Sequence, residues 1–185
     1  MTTVGHTLVG LALRNASAPR GRSAALVLAE LGFFTALASL PDLDLPGWGH
    51  RAYHVSHSVF VLAILMLVLT PAALPVLRRL VPPRSAASLW AGGCAAVFTH
   101  VFLDGLYGVG RGIALLWPLS DVRLHLPVPF FLHLRPQDGL TLENLNVCAV
   151  EAAVFGCVLL LSLGVRRIRM GRETRPSLGD LGCRP

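Results

Sequence analysis

Carboxylates and imidazoles recur at short spacings in two parts of this chain. Asp42 and Asp44 stand two residues apart in Leu40-Pro41-Asp42-Leu43-Asp44. In a turn opened by proline, two carboxylates can converge, or one can bind while the other orients a ligand. His50, His54 and His57 follow, and further on His100 and Asp104 are four residues apart. On a helix that spacing puts both on one face, so both can ligate one ion, as the paired histidines of an H-E-x-x-H helix do. Mixed imidazole and carboxylate donors suit zinc, manganese or iron, whereas calcium prefers an all-oxygen shell. Each piece also has a plainer explanation. Pro-Asp-x-Asp is a common turn, a lone His100 can be a hydrogen-bonded core histidine, and His54 reads as a bystander. His125 and His133 sit in an apolar stretch that suits a membrane interface.

The elements that must carry these residues are membrane helices. Of 185 residues, 54% are hydrophobic and 14% charged, and mean hydropathy is +0.63. Soluble domains carry roughly 25% charged residues, so the surplus apolar surface calls for lipid. Four runs can span a bilayer, which takes about 20 residues within a range of roughly 17 to 25: 24–40, 59–77, 86–103 and 145–165. A shorter run, 4–13, reads as a half-helix or an interfacial helix packed on the bundle. The expected fold is an all-α, polytopic membrane helix bundle of about four transmembrane helices plus this short N-terminal half-helix. Residues 1–170 form the membrane-embedded domain, and 171–185, rich in Gly, Pro and charge, a disordered cytoplasmic tail.

Every cation is an arginine, and the formal charge is +6. The arginines cluster between apolar runs: Arg14, Arg20 and Arg22; Arg78, Arg79 and Arg84; Arg166, Arg167, Arg169, Arg172 and Arg175. With all three clusters cytoplasmic the four spans alternate without conflict, although Arg51, Arg111, Arg123 and Arg135 lie in the opposite loops. This pattern is one of topology. No nucleic-acid motif accompanies the charge, so no nucleic-acid partner is expected. Nor is a signal peptide, since the first residues lack a basic region and a cleavage site. Cys94, Cys148, Cys157 and Cys183 form no C-x-x-C pair and read as small buried hydrophobes. The prolines at 127 and 129 forbid a regular helix in 124–134, whose apolar residues favour the interface or a lid.

Ionisable groups in or beside spans are costly and point to function. The topology brings Asp42, Asp44, His57, His100 and Asp104 to one membrane face, independently of the histidines themselves. His6 fits less well. At 1.5 Å per residue it stands only about 12 Å above Arg14, near the depth of Glu30, so a His6–Glu30 pair is the alternative to metal binding. Glu151 can approach His100 or pair within the bundle.

The same residues resemble the YdjM-type inner-membrane proteins, described as membrane-bound metal-dependent hydrolases. The match runs through Gly5-His6-Thr7-Leu8, Leu40-Pro41-Asp42-Leu43-Asp44, His50-Arg51, Ser56-His57-Ser58, Thr99-His100-Val101-Phe102-Leu103-Asp104 and Leu115-Leu116-Trp117-Pro118. Order and rough spacing agree over residues 5 to about 127. The chain departs at Leu45, where the family often has His, in a longer His50-Arg51 to His57-Ser58 spacing, and at Tyr107-Gly108 in place of Thr-Pro. The resemblance implies metal ligation or catalysis by His6, Asp42, Asp44, His57, His100 and Asp104. It also implies a multi-pass place in the inner, cytoplasmic membrane.

The leading expectation is a hydrolase at the outer membrane face, using one or two divalent ions, zinc first. Asp44 would ligate, bridge or act as general base, and Arg51 or Arg111 would clamp an anionic substrate oxygen. A phosphoester, of a lipid for example, suits arginines at an interface. The alternative is a non-enzymatic membrane protein with a structural metal. A third is transport along Glu30, Glu151 and His6, disfavoured by four spans without evident repeats.

Overall fold

A computed structural model describes residues 2–18, 22–107, 112–126, 128 and 139–173, without the side chains of residues 50, 51 and 170–173. Of the expected tail, 171–185, residues 171–173 continue the last helix and the rest lies outside the described residues.

Helix α1, Thr3–Ser17, begins where extended Thr2 caps Val4 N (3.2 Å). Helix α2, Ala24–Ser39, is capped by Ser23 and runs into a 3₁₀ turn, Leu40–Asp42, with Pro41 in its first positions. A second 3₁₀ turn, Gly49–Ala52, leads into the short helix α3, Tyr53–Ser56. Helix α4, Val59–Leu80, is capped by Ser58 and passes through Pro71 and Pro75. Helix α5, Pro83–Asp104, and helix α6, Leu142–Glu173, complete the bundle. Among the described residues the sole β pairing is an isolated antiparallel bridge between Ile113 and Leu124.

Among the described residues four helices are long and apolar enough to cross a membrane: Ala24–Asp42, Val59–Leu80, Pro83–Asp104 and Leu142–Arg169. At 1.5 Å per residue, α1 is about 22 Å long and falls short of the hydrocarbon core. The polytopic helix bundle with a short N-terminal helix is therefore what forms. Half of the α5 span is buried, against 11% of the α4 span, so α5 is the central post and α4 presents Ile64, Leu67 and Val68 outward. Such faces need lipid. Helix α5 packs on α1, α2 and α4, and α1 lies between α6 on one side and α2 and α5 on the other.

Small residues allow that insertion. A Cβ on Gly10 would lie 2.9 Å from Ala38 Cβ and 3.0 Å from the Phe34 carbonyl oxygen. Glycine there lets α1 approach α2 backbone to backbone, the usual device of helix pairs in lipid. Around it, Phe34, Ala38, Leu89 and Ala96 form one apolar cluster, and Leu62, Met66, Val97 and Val101 form another between α4 and α5.

At the arginine-rich end Glu30 accepts from Arg14 Nε (3.0 Å) and Nη2 (2.6 Å). Arg22 Nη1 stands 2.6 Å from the other Glu30 oxygen, as an ion pair not aligned as a hydrogen bond. The alternative His6–Glu30 pair does not form. A cytoplasmic arginine cluster implies Arg14 at the membrane surface, but Arg14 is buried beside Glu30. That lifts the whole of α1, and His6 with it, toward Asp42.

Candidate metal centre

Five side chains from four elements meet at the opposite end of the bundle. His6 comes from α1, Asp42 from the 3₁₀ turn after α2, His57 from the residue closing α3, and His100 and Asp104 from the last turns of α5. Local rules put each in place. Pro41 turns the chain off α2 so that Asp42 points inward. Gly49, at φ +60°, packs directly under the Leu43 carbonyl where no side chain fits, and Trp48 Nε1 donates to Leu40 O (2.9 Å). Together they close the loop against the Asp42 turn. The i, i+4 spacing of His100 and Asp104 does the rest.

His6 Nε2 lies 3.2 Å from Asp104 Oδ1 and 3.9 Å from Asp42 Oδ2. His57 Nε2 lies 3.1 Å from Asp104 Oδ2 and 3.4 Å from Asp42 Oδ1. His100 Nε2 lies 3.5 Å from Asp42 Oδ1 and 3.7 Å from Asp104 Oδ2. Donor atoms of His6, Asp42, His100 and Asp104 all fall within 4.8 Å of one another. The His6 and His100 rings stack at 3.5 Å. All three imidazoles are at most 2% exposed, and of the carboxylates Asp42 is the more open, its side chain 19% exposed against 5% for Asp104.

These distances discriminate between a hydrogen-bonded knot and a cation site. Hydrogen bonds from nitrogen to oxygen run about 2.7–3.2 Å, and four of the six separations exceed that. Two donors about 2.1 Å from one tetrahedral ion sit about 3.4 Å apart, which is the middle of the observed range. Hydrogen placement agrees. His100 Nδ1 is 2.6 Å from the Ala38 carbonyl, which only accepts, so Nδ1 carries the proton and a neutral ring turns its Nε2 lone pair to the carboxylates. Among the described residues neither ring nitrogen of His6, nor His100 Nε2, has a hydrogen-bond partner. Buried polar atoms left this way are costly, and a cation satisfies them. The donor set fits a divalent ion.

Charge follows the same logic outside the spans. Burial pushes the His6 pKa down to about 4, with the Asp104 contact opposing it, so the ring is neutral at pH 7. For His57 burial also acts downward, but hydrogen bonds to Asp104 and Asp42 and their charges outweigh it and raise the pKa. The two carboxylates call for positive charge beside them, from a proton or from a metal. Burial, then the charge of Asp104 and the hydrogen bond to it, raise the pKa of Tyr53. Its hydroxyl donates to Asp104 Oδ2 (3.0 Å), and its ring stacks on His57.

The other residues singled out from sequence lie elsewhere. Asp44 is exposed and outside the converging group. His54 is exposed, edge-on to Trp117, and His125 is exposed. The side chains of His50 and Arg51, and all of Arg111 and His133, lie outside the described residues. Glu151 does not reach His100; it accepts from Thr2 N, Gly5 N and Tyr107 OH. Tyr53, bonded to Asp104, and Tyr107, bonded to Glu151, are partners that spacing missed, since nothing in a tyrosine's sequence neighbours announces a carboxylate partner.

Over residues 1–169 the chain matches the family model described as YdjM inner membrane protein. No curated protein and no solved structure matches it.

Proposed function

The chain belongs to the YdjM inner membrane protein family, and from that premise and the site geometry we propose a metal-dependent hydrolase working at the outer face of the cytoplasmic membrane. The observation that carries this is how the two carboxylates divide their oxygens. Asp104 turns Oδ1 to His6 and Oδ2 to His57 and His100, and Asp42 turns Oδ2 to His6 and Oδ1 to the same pair. Carboxylates that bridge two ions present their oxygens in this way. One or two divalent ions, zinc first and manganese or iron next, would be held here, with Asp42 and Asp104 as the carboxylate ligands and His6, His57 and His100 as the imidazole ligands. When bound, such ions supply Lewis-acid activation of water for attack on an ester.

The chain supplies the rest. Asp42 is the open side of the centre, so substrate arrives past it. Its neighbours Leu43 and Leu45 are exposed, as are Leu119 and Val122 beyond the helix ends. An apolar rim at a membrane interface favours an amphiphile, and a phosphoester of a lipid suits both the rim and the metal. Asp44, exposed beside this approach, would take the proton from the attacking water, and Arg51 or Arg111 would clamp an anionic oxygen. Intramembrane transport is disfavoured, because Glu30 and Glu151 are each held by other partners. The near-complete burial of the imidazoles favours one second reading, a purely structural metal.

Metal content of detergent-purified protein, followed by turnover on lipid and simple phosphoesters, tests the proposal. Bound metal is expected, lost in Asp42→Ala and reduced in His6→Ala, together with hydrolysis that falls in Asp44→Asn. No metal after gentle purification and reloading sinks the whole reading. Tight metal without turnover on either substrate class gives way to the structural one.

A further inference from the structure

Among the described residues, Glu151 is the one buried carboxylate that neither the metal centre nor the arginine end accounts for. It projects from α6 and is 1% exposed. Its oxygens accept from Thr2 N (2.9 and 3.1 Å), Thr2 Oγ1 (2.5 Å), Gly5 N (3.2 Å) and Tyr107 OH (2.6 Å). The first amides of a helix have no partner within it, and here a carboxylate from another helix supplies one. That placement also suits the positive end of the α1 dipole.

The ligand that gains from this is His6, which follows Gly5. The other two imidazoles have orienting partners of their own: His100 Nδ1 bonds Ala38 O (2.6 Å), and His57 Nδ1 bonds Ser56 Oγ (2.8 Å). His6 Nδ1 has none among the described residues. Metal-binding histidines usually owe their aim to such a bond. Apart from the carboxylates that its Nε2 faces, His6 is placed by its stack on His100 and by the position of its helix. Tyr107 ties the same carboxylate to the end of α5, three residues past Asp104. One side chain on α6 thus holds the helix that carries His6 and the chain end that carries Asp104 in a common frame.

We propose that Glu151 is a positioning residue that fixes the depth of His6 in the metal centre by clasping the N-terminus of α1. The proposal rests on the metal reading of the centre in its consequence, but not in its mechanical part. Replacing the carboxylate with an amide puts a donor among donors, so α1 loses its anchor while α6 keeps its packing.

The test is a double-mutant cycle read by cobalt(II) titration of detergent-purified protein, followed by visible absorption, alongside amide hydrogen exchange of the metal-free protein. Glu151→Gln is expected to weaken binding about 10–100-fold, in the range of outer-shell losses, and to shift the spectrum toward that of His6→Ala. In the His6→Ala background the same change is expected to do nothing further. Exchange at residues 4–7 is expected to quicken. Equal losses in both backgrounds, or none in either, overturn the positioning role, because a loosened bundle does not depend on His6. Unchanged exchange at residues 4–7 overturns the clasp even if the wild type takes up no cobalt, an outcome that would separately defeat the metal reading. Should Glu151→Gln fail to fold, Tyr107→Phe removes a single donor and serves in the same cycle, with a smaller shift in the same direction.

Discussion

Gly10→Ala sets two physical effects against each other. Helix propensity alone favours alanine over glycine by about 1 kcal/mol in a helix interior. Packing opposes it, because the new Cβ would lie 2.9 Å from Ala38 Cβ and 3.0 Å from Phe34 O. Carbons in contact sit about 3.5–4.0 Å apart, so α1 must retreat by about 0.6 Å or more. Overpacking of this kind costs about 1–3 kcal/mol. Gly156 on α6 is the control, since nothing lies within 4 Å of a Cβ there. The same substitution at both sites cancels propensity, so Gly10→Ala should fall about 1–3 kcal/mol below Gly156→Ala. At about 2–4 °C per kcal/mol for a chain of this size, apparent melting temperatures in detergent resolve the difference. The consequence reaches the metal centre as well. His6 stands one turn from Gly10 on the same face, and Ala38, the residue struck, is the one whose carbonyl orients His100. Metal–ligand distances tolerate about 0.2 Å, so a shift of this size should also cost bound metal. If Gly10→Ala melts level with Gly156→Ala and keeps its metal, the close α1–α2 approach does not control the site and the reasoning fails.

Two further substitutions probe buried polar groups at either end. Glu30→Gln strands the Arg14 and Arg22 guanidiniums inside the bundle and should destabilise by about 3–5 kcal/mol, with metal content retained. A loss below about 1 kcal/mol in thermal unfolding, the value typical of exposed pairs, would mean that solvent reaches the cluster. Tyr53→Phe keeps the ring on His57 and removes the hydroxyl bonded to Asp104, so metal affinity should drop about 10–100-fold with the fold intact. Unchanged affinity by competition with a chelator would make that hydrogen bond incidental.

The helices were legible because apolar runs of spanning length have few other uses; three formed close to their expected bounds, and the fourth ran past its expected end at 165 to Glu173. The convergence of His57, His100, Asp104 and Asp42 was legible because arginine bias and helix periodicity each set which end a residue occupies. Depth was harder. Reading His6 from Arg14 failed, since an arginine can be drawn inside a bundle by a buried glutamate and sequence does not show the pair. Asp42 and Asp44 could not be told apart by spacing; the tight turn at Gly49 commits the first inward and leaves the second exposed. Glu151 was visible as an anomaly in an apolar helix, but two of its partners are the backbone amides of Thr2 and Gly5, which carry no sequence signature.

The contrast among the carboxylates inside the bundle gives the strongest physical case for a cation at the centre. Glu30 is matched by two guanidiniums, and Glu151 by amide and hydroxyl donors. Asp42 and Asp104 instead face three imidazoles. One of these has its proton position settled, because His100 Nδ1–H is spent on a backbone carbonyl. In its neutral form the ring aims a lone pair at carboxylate oxygens 3.5 and 3.7 Å away, and like partial charges at that range in a poorly screened interior repel. Either a second proton or a bound cation removes the conflict. The two differ in one measurable respect: a cation stabilises the fold in proportion to the logarithm of its concentration, and Asp42→Asn should abolish that dependence. A melting temperature indifferent to added zinc, manganese or iron would leave the proton as the answer.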